Sequence, residues 1–325
     1  MPPAAGKRVY VTVGPGLIAG KRHMTQRSII TALAKHVDVF AVPVDAYDFG
    51  GGRVRAYRRV RHGGFEDTGL IEPRADLWIV YSDGYYLDHR ALGFGRRSDF
   101  FRTLLEFHDR QCQAGAVQRI INPPEVEART LKSWFTALDA SREHVIPTRL
   151  ASSLEEVHEL LQAWGAIVAK LDWGGGGNGA RRLMDEADVR RFAQELTGAC
   201  DRSLADYCFQ PYLPGDEKRL WFVGGRCVAG RVSHGRATPW SASAPDYEVQ
   251  PYFHHTGEQF RADLAAAERL CRLSGLEIGS IDFIGDRINE INGCGTIFTE
   301  YRNWNCVVDA RPALTRYVTD LAKAL

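Results

Sequence analysis

Apolar and polar residues follow one another along the chain in short blocks that are typical of an α/β protein. Runs of buried-strand character alternate with amphipathic stretches, and the first strand, helix and strand form a βαβ unit. The predicted elements are, in order, a strand at 7–14, a helix at 24–36, and strands at 37–45 and 75–84, then a helix at 98–115 and a strand at 118–122. Residues 1–122 are therefore predicted to form an N-terminal domain with an open parallel sheet.

The pattern changes at Pro123, where prolines begin a predicted helix. The elements predicted after this point are helices at 123–140 and 153–165, a strand at 166–172, a strand–loop–strand–turn–strand series within 206–234, a helix at 260–274, a hairpin at 278–293 and a helical segment at 305–325. We place a second domain at 123–205 and a third at 206–325.

The stretch "AKLDWGGGGNGARRL", residues 169–183, contains glycines at the G-x-G-x-x-G spacing of a dinucleotide-binding turn. That turn requires a helix to begin inside the glycines. Here the alternating run 180–184 predicts a strand, and Asp185 then caps a helix. The glycines therefore join two strands. With Lys170 just before them they are either a flap that closes over phosphate oxygens or an ordinary flexible hairpin.

Charge and composition exclude several classes of partner. The chain of 325 residues carries 41 basic and 40 acidic side chains, so no overall field recruits nucleic acid or an anionic membrane. The densest basic run, 53–62, is predicted to be a solvated face or loop rather than a polyanion site. The seven scattered cysteines suit reduced thiols, and neither a signal core nor a membrane-spanning run is evident. We expect a cytoplasmic protein.

Three oxygen-bearing side chains stand out in the predicted hairpin 278–293. Asp282 and Glu290 are eight positions apart and can face each other across a tight turn, while Glu290 and Asn292 share one face of their strand. Hard oxygen ligands of this kind suit Mg²⁺ that is also held by phosphates. The alternative is a solvated hairpin with polar residues pointing outward.

Taken in order, these motifs resemble those of the ATP-grasp ligases, and within them the prokaryotic glutathione synthetase branch. The resemblance covers roughly residues 120–305 and is carried by "NPPEVEARTLK", "VAKLDWGGGGNG", "FQPYLPGDEKRLWFVGGRCVAGR" and "GSIDFIGDRINEIN". The acceptor segment after Arg231 and the segment after Asn292 depart from the synthetase pattern. Glutathione itself is therefore not the expected product.

The resemblance implies an ATP-grasp fold behind an N-terminal open parallel α/β domain, and it assigns roles to individual residues. Nucleotide-binding roles fall on Lys132, Lys170, Gly174, Gly175, Gly176, Gly177, Gly179, the adenine hinge Gln210, Pro211, Tyr212 and Leu213, and the ribose-binding Glu217. Arg219 and Arg231 would be the catalytic residues that neutralise the moving phosphoryl group. Asp282, Glu290 and Asn292 would bind Mg²⁺ as two ions, for which Mn²⁺ could substitute.

The implied activity is ATP-dependent joining of a small-molecule carboxylate to an amine through an acyl phosphate, with release of ADP and phosphate. Amino-acid or peptide-like substrates of a specialised biosynthesis fit the altered acceptor segment best. A cyclo-ligase that closes an amide within one molecule, an ATP-grasp kinase and a non-catalytic nucleotide-binding protein remain as alternatives. The resemblance also implies a homodimer or homotetramer, while the charge balance predicts no nucleic-acid or membrane partner.

Overall fold

A computed structural model of the protein describes residues 6–14, 18, 24–60, 64–80, 92–95, 97–172, 179–199, 202–234, 248–252, 257–293, 299–302 and 305–325. Its strands form three large sheets and one short hairpin, which follow one another along the chain. Within the described residues, no helix is both long and apolar enough to cross a membrane.

The first sheet has seven strands in the order β3-β4-β2-β1-β6-β7, with β5 paired to β4. Its elements are β1 (Arg8–Val13), α1 (Met24–Leu33), β2 (Asp38–Pro43), β3 (Tyr47–Asp48), β4 (Arg53–Arg59), β5 (Phe65–Ile71), β6 (Ala75–Ile79), α2 (Arg97–Gln113) and β7 (Val117–Ile121). β1, β2, β6 and β7 are parallel as predicted. β3, β4 and β5 extend this sheet as antiparallel strands, which were not predicted from the sequence.

The basic run at 53–62 accounts for much of this difference. We expected a solvated face or loop, and residues 53–59 form β4, in which Arg53 and Arg55 are exposed on such a face while Val54 and Ala56 are buried. Arg53 pairs with Asp48 at 3.0 Å. Alternation with a period of two places the arginines on the solvent side and the apolar residues in the core.

The helix predicted at 123–140 is interrupted. The structure has α3 (Pro124–Ala128) and then a 3-10 helix at Lys132–Ala137. The Thr130 hydroxyl donates to the Glu127 carbonyl at 2.7 Å, and the Ser133 backbone N–H donates to the Asp172 carboxylate at 2.7 Å. These side chains take backbone groups that a continuous helix would have used, so the helix ends there.

The second sheet is antiparallel, with strands in the order β10-β9-β11-β8. Its elements are β8 (Arg149–Leu150), α4 (Leu154–Trp164), β9 (Ile167–Leu171), β10 (Arg181–Leu183), α5 (Glu186–Gly198), a 3-10 helix (Leu204–Asp206) and β11 (Tyr207–Pro211). The Asp185 side chain accepts from the Asp188 N–H and caps α5, as predicted. The antiparallel pairing of β9 and β10 confirms that the glycine-rich stretch joins two strands.

The third sheet is antiparallel in the order β14-β13-β12-β15-β16. Its elements are β12 (Glu217–Val223), β13 (Arg226–His234), β14 (Glu248–Pro251), α6 (Glu258–Ser274), β15 (Ile278–Ile284) and β16 (Arg287–Asn292), and the chain ends with β17 (Thr299–Arg302), β18 (Asn305–Asp309) and α7 (Arg311–Ala324). The segment 305–325 is therefore not helical throughout. Residues 305–309 pair with β17, and α7 begins only where Pro312 occupies its first turn.

Two features bear on the division into domains. β11, at 207–211, pairs with β9 and so belongs to the second sheet, although the predicted boundary lies at 205. α7 packs against α1 of the first domain and β12 of the third sheet, and Leu314 and Val318 share one apolar cluster with Val9 and Trp221. The three-part division stays a prediction, with 211 as the boundary that follows the sheets.

A cluster of polar side chains lies in the core beside the first sheet. The Tyr47 hydroxyl lies 2.8 Å from Thr12 Oγ1 and 3.2 Å from His108 Nε2, and Trp78 Nε1 donates to Thr12 Oγ1 at 3.0 Å. His108 is fully buried. Because burial penalises the imidazolium, the pKa of His108 is lowered to about 3.

This cluster makes stability depend on pH. The unfolded chain binds a proton at His108 near its ordinary pKa of about 6.5, whereas the folded protein binds it only near pKa 3. Stability should therefore fall as the pH drops through this window, by about 1.4 kcal/mol per pH unit from this group. His108→Gln should show a shallower slope in urea unfolding between these values. An unchanged slope in the variant would contradict the assignment.

Candidate functional site

The second and third sheets bring the predicted site residues together. Lys170 on β9 donates from Nζ to Gln210 Oε1 at 2.7 Å and to Asn289 Oδ1, on β16 of the other sheet, at 2.5 Å. Lys132, on the 3-10 helix, places its Nζ 3.4 Å from Glu290 Oε2. Side chains from two sheets and one helix therefore converge on a single cleft.

Arg219 and Asp282 form the best-defined pair of the site. They lie opposite each other on β12 and β15, and the guanidinium binds the carboxylate through two hydrogen bonds of 2.7 and 2.6 Å. Burial by itself would raise the pKa of Asp282, but the charge and hydrogen bonds of Arg219 outweigh burial and the pKa is lowered. Asp282 is thus held as a carboxylate, the form that binds a metal ion.

Glu217 and Arg231 form a second, more deeply buried pair. Arg231 donates to Glu217 Oε1 at 2.7 Å and to the Ser233 hydroxyl at 2.5 Å. Both members of the pair are buried. Glu217 is predicted to bind a ribose, and in this structure its carboxylate is already engaged by Arg231, so that role stays a prediction.

Lys132 and Lys170 carry the charges that the resemblance assigns to phosphate binding. Asp172 fixes the segment that holds Lys132, because it accepts from both the backbone N–H and the hydroxyl of Ser133, at 2.7 and 2.8 Å. For Lys170, burial is the largest influence: it lowers the pKa to about 8, opposed in part by the negative charge of Glu290. Lys170 is a desolvated cation with little compensating charge.

The proposed metal ligands meet on the β15–β16 hairpin. Asp282 pairs with Glu290 and Ser280 with Asn292 in the strand register, so the predicted alignment eight positions apart is confirmed. Asn292 Nδ2 lies 3.4 Å from the Ser280 hydroxyl. Among the described residues, no group of three or more His, Cys, Asp or Glu side chains is placed to hold a metal ion. Two carboxylates and an amide fit Mg²⁺ only if phosphate oxygens complete its shell.

The predicted adenine hinge lies at the end of β11. Gln210 turns its amide nitrogen to the Thr148 hydroxyl, 3.0 Å away, and its oxygen to Lys170. The Tyr212 N–H donates to the Ala166 carbonyl at 2.8 Å, and the Arg182 guanidinium lies 3.9 Å from the centre of the Tyr212 ring. Pro211 and Leu213 are half-buried beside them.

The glycine-rich loop is described only at its end. Gly179 has φ of 75°, a conformation that favours glycine, and a Cβ there would lie 2.4 Å from Leu171 Cδ1. Gly174, Gly175, Gly176 and Gly177 lie outside the described residues. The choice between flap and ordinary hairpin therefore stays a prediction.

Sequence reasoning missed two residues of this site, Asn289 and Asp172. A strand period of two places Asn289 on the opposite face from Glu290, and Asp172 lies within the glycine-rich motif directly after Lys170 and Leu171 but was assigned no role. The adjacency of Asp172 to the "AKL" strand was the available signal for that residue. No local signal indicated Asn289, because its position depends on an irregularity in strand pairing.

Close backbone packing holds the β15–β16 hairpin together. A Cβ on Gly279 would lie 2.1 Å from the Asn292 carbonyl oxygen. Gly279→Ala should therefore force the strands apart, lower stability by about 2 kcal/mol and weaken Mg²⁺-dependent nucleotide binding. Gly198→Ala is the matched control, because a Cβ there meets nothing within 4 Å on helix α5 and should be neutral or slightly stabilising. Urea unfolding and calorimetry measure both effects, and equal stability of the two variants would contradict the prediction.

Comparisons with known proteins define the class of fold. No protein-family model and no curated protein matches the sequence. Solved structures do match: the ATP-grasp ligase PsnB complexed with a precursor variant, Mg and ADP has a TM-score of 0.61 and 17% identity, covering 98% of this chain and 99% of that one. The protein therefore has the ATP-grasp fold.

Two further structures of this fold are similar along nearly the whole chain. D-cycloserine synthetase DcsG has a TM-score of 0.62 and 15% identity, covering 97% of this chain and 99% of that one. Macrocyclase MdnC from Microcystis aeruginosa, bound with precursor peptide MdnA, has a TM-score of 0.60 and 13% identity, covering 98% of this chain and 100% of that one.

Proposed function

We propose that the protein is an ATP-dependent carboxylate–amine ligase that works through an acyl phosphate. The observation that carries the proposal is the charge balance of the cleft. Four cations, Lys132, Lys170, Arg219 and Arg231, converge there with three carboxylates, Glu217, Asp282 and Glu290, and each carboxylate contacts a cation other than Lys170. The surplus positive charge is at Lys170, where a nucleotide phosphate would supply the missing anion.

The residues of the cleft would have separate roles in phosphoryl transfer. Lys132 and Lys170 would hold the α- and β-phosphates, while Arg219 and Arg231 would stabilise charge on the γ-phosphoryl as it moves to a substrate carboxylate. Asp282, Glu290 and Asn292 would hold Mg²⁺, which when bound neutralises the β- and γ-oxygens. An amine then displaces phosphate from the acyl phosphate and forms an amide.

Two ion pairs must rearrange for this to happen. Asp282 is bound by Arg219 and Glu290 by Lys132. Nucleotide phosphates would draw both cations away from the carboxylates and leave these free for the metal ion. Nucleotide and Mg²⁺ are therefore expected to bind cooperatively, each increasing the affinity of the protein for the other.

The substrates we propose are amino-acid or peptide-like. Structural neighbours include PsnB and MdnC, whose structures contain precursor peptides, and a D-cycloserine synthetase. Within the ATP-grasp ligases, we propose a relation to the glutathione synthetase branch with a different acceptor, because the stretch 233–257 departs from that branch. The neighbour described as a macrocyclase favours intramolecular ligation as the second candidate.

The test follows oxygen from substrate to phosphate. Thermal-shift screening of amino acids and peptides with an ATP analogue and Mg²⁺ would first identify the carboxylate substrate. If that carboxylate is then labelled with heavy oxygen, one label should appear in the released phosphate, as mass spectrometry would show. A kinase would retain phosphate on its product, and a mere binder would release none. Unlabelled phosphate released together with an amide would contradict the acyl-phosphate mechanism.

A further inference from the structure

A β-bulge in the β15–β16 hairpin gives the cleft an extra side chain. Asp282 pairs with Glu290 and Phe283 pairs with Ile288, so Asn289 has no residue opposite it. Ile288 remains in the core beneath the sheet, while Glu290 lies at the cleft. The bulge therefore turns Asn289 toward the cleft, and two consecutive side chains reach the two lysines, Asn289 contacting Lys170 and Glu290 contacting Lys132.

The hydrogen-bond partners of Lys170 are uncharged side chains. Its ammonium donates to the amide oxygens of Asn289 and Gln210, and among the described residues it forms no ion pair. The ammonium is only a donor, so the oxygen of each amide must be the atom that faces it. Gln210 is itself held by the Thr148 hydroxyl through its amide nitrogen. The two amides fix the position of the ammonium without cancelling its charge.

We propose that Asn289 is a positioning residue that holds Lys170 for nucleotide phosphate while leaving its positive charge uncompensated. A carboxylate at the same place would hold the ammonium equally well, but it would neutralise the charge and repel phosphate. The bulge also separates this task from metal binding, because Glu290 stays with Asp282 rather than with Lys170. The role rests on the proposed function, since it presupposes that Lys170 meets phosphate.

The experiment compares two substitutions of one side chain. Asn289→Asp keeps the shape and adds a charge, whereas Asn289→Ala removes the acceptor. Calorimetry without Mg²⁺ should show ADP binding weakened about tenfold or more by Asn289→Asp and less by Asn289→Ala, with adenosine affinity unchanged in both. Asn289→Gln, which keeps an amide oxygen, should recover part of the affinity.

Controls separate positioning from damage to the fold. Asp286→Asn changes the charge of the same hairpin at its exposed turn and should leave ADP affinity unchanged. Equal loss of ADP and adenosine affinity in the Asn289 variants would mean a merely structural role, and wild-type ADP affinity in Asn289→Asp would overturn the proposal. If the wild-type protein binds adenosine nucleotides at no phosphorylation level, the proposed function itself fails and this role falls with it.

Discussion

Lys170→Met should weaken ATP binding by about 100-fold while the protein stays folded. Methionine keeps the length of the side chain but removes the charge that phosphate requires. The fold should survive because Lys170 is a half-buried cation whose desolvation is unfavourable, which lowers its pKa to about 8. Calorimetric titration with a non-hydrolysable ATP analogue measures the effect.

Lys218→Met is the matched control for this substitution. Lys218 is a buried lysine on β12, the strand that carries Arg219, but it pairs with Asp263 beneath the third sheet. Its loss leaves a buried carboxylate without its cation, so stability should fall by about 3 kcal/mol or more while nucleotide affinity is kept. If Lys218→Met lost nucleotide affinity and Lys170→Met kept it, the assignment of Lys170 to phosphate binding would be contradicted.

The affinity of the wild-type protein should also depend on pH. The free protein loses the Lys170 proton as the pH rises through about 8, whereas bound phosphate favours the ammonium and retains it. ATP affinity should therefore fall as the pH increases above 8. In Lys170→Met this decline should be absent.

Glu290→Gln should lower turnover about 1,000-fold and raise the Mg²⁺ concentration needed for activity. The amide keeps a contact for Lys132 but removes the negative charge that would draw metal to the β- and γ-phosphates. ADP binding without Mg²⁺ should be retained or slightly stronger, because a carboxylate near the phosphates is lost. Coupled measurement of ADP release, with the substrate found by screening, tests the rate.

Glu143→Gln is the matched control for Glu290→Gln. Glu143 is a buried carboxylate that pairs with Arg269 at 2.7 Å, away from the cleft cations. Its substitution should reduce stability but leave the Mg²⁺ response as in the wild-type protein. Wild-type turnover in Glu290→Gln at saturating Mg²⁺ would contradict a role for Glu290 in holding Mg²⁺.

The sequence predicted those parts of the fold that local chemistry determines. Asp185 caps α5, and the tight turn between β15 and β16 sets Asp282 opposite Glu290. Pairings between distant strands were missed, because nothing near Arg53 indicates that β4 joins β2 in an antiparallel arrangement. The prediction of a continuous helix at 123–140 was wrong for the same reason, since Asp172, which is distant in the sequence, accepts the hydrogen bond of the Ser133 N–H.

The candidate site shows the same limit. The order of the motifs along the chain identified Lys132, Lys170 and the proposed metal ligands of the β15–β16 hairpin as candidates. It did not show which of their atoms are in contact. Which carboxylate each cation contacts could not be read from the sequence, and neither could the bulge that turns Asn289 into the cleft. Such contacts depend on how two separately formed sheets face each other.

The position of α7 has a consequence for how the protein is made. The apolar cluster that includes Val9 and Val11 of β1 is completed by Leu314 and Val318, which a ribosome adds only after every other described element. Until then the cluster formed by β1, α1 and β12 lacks the apolar side chains of α7, and exposed apolar surface of this kind favours aggregation of the nascent chain. A chain ending before Arg311 should accordingly be recovered in inclusion bodies even though every residue of the cleft is present.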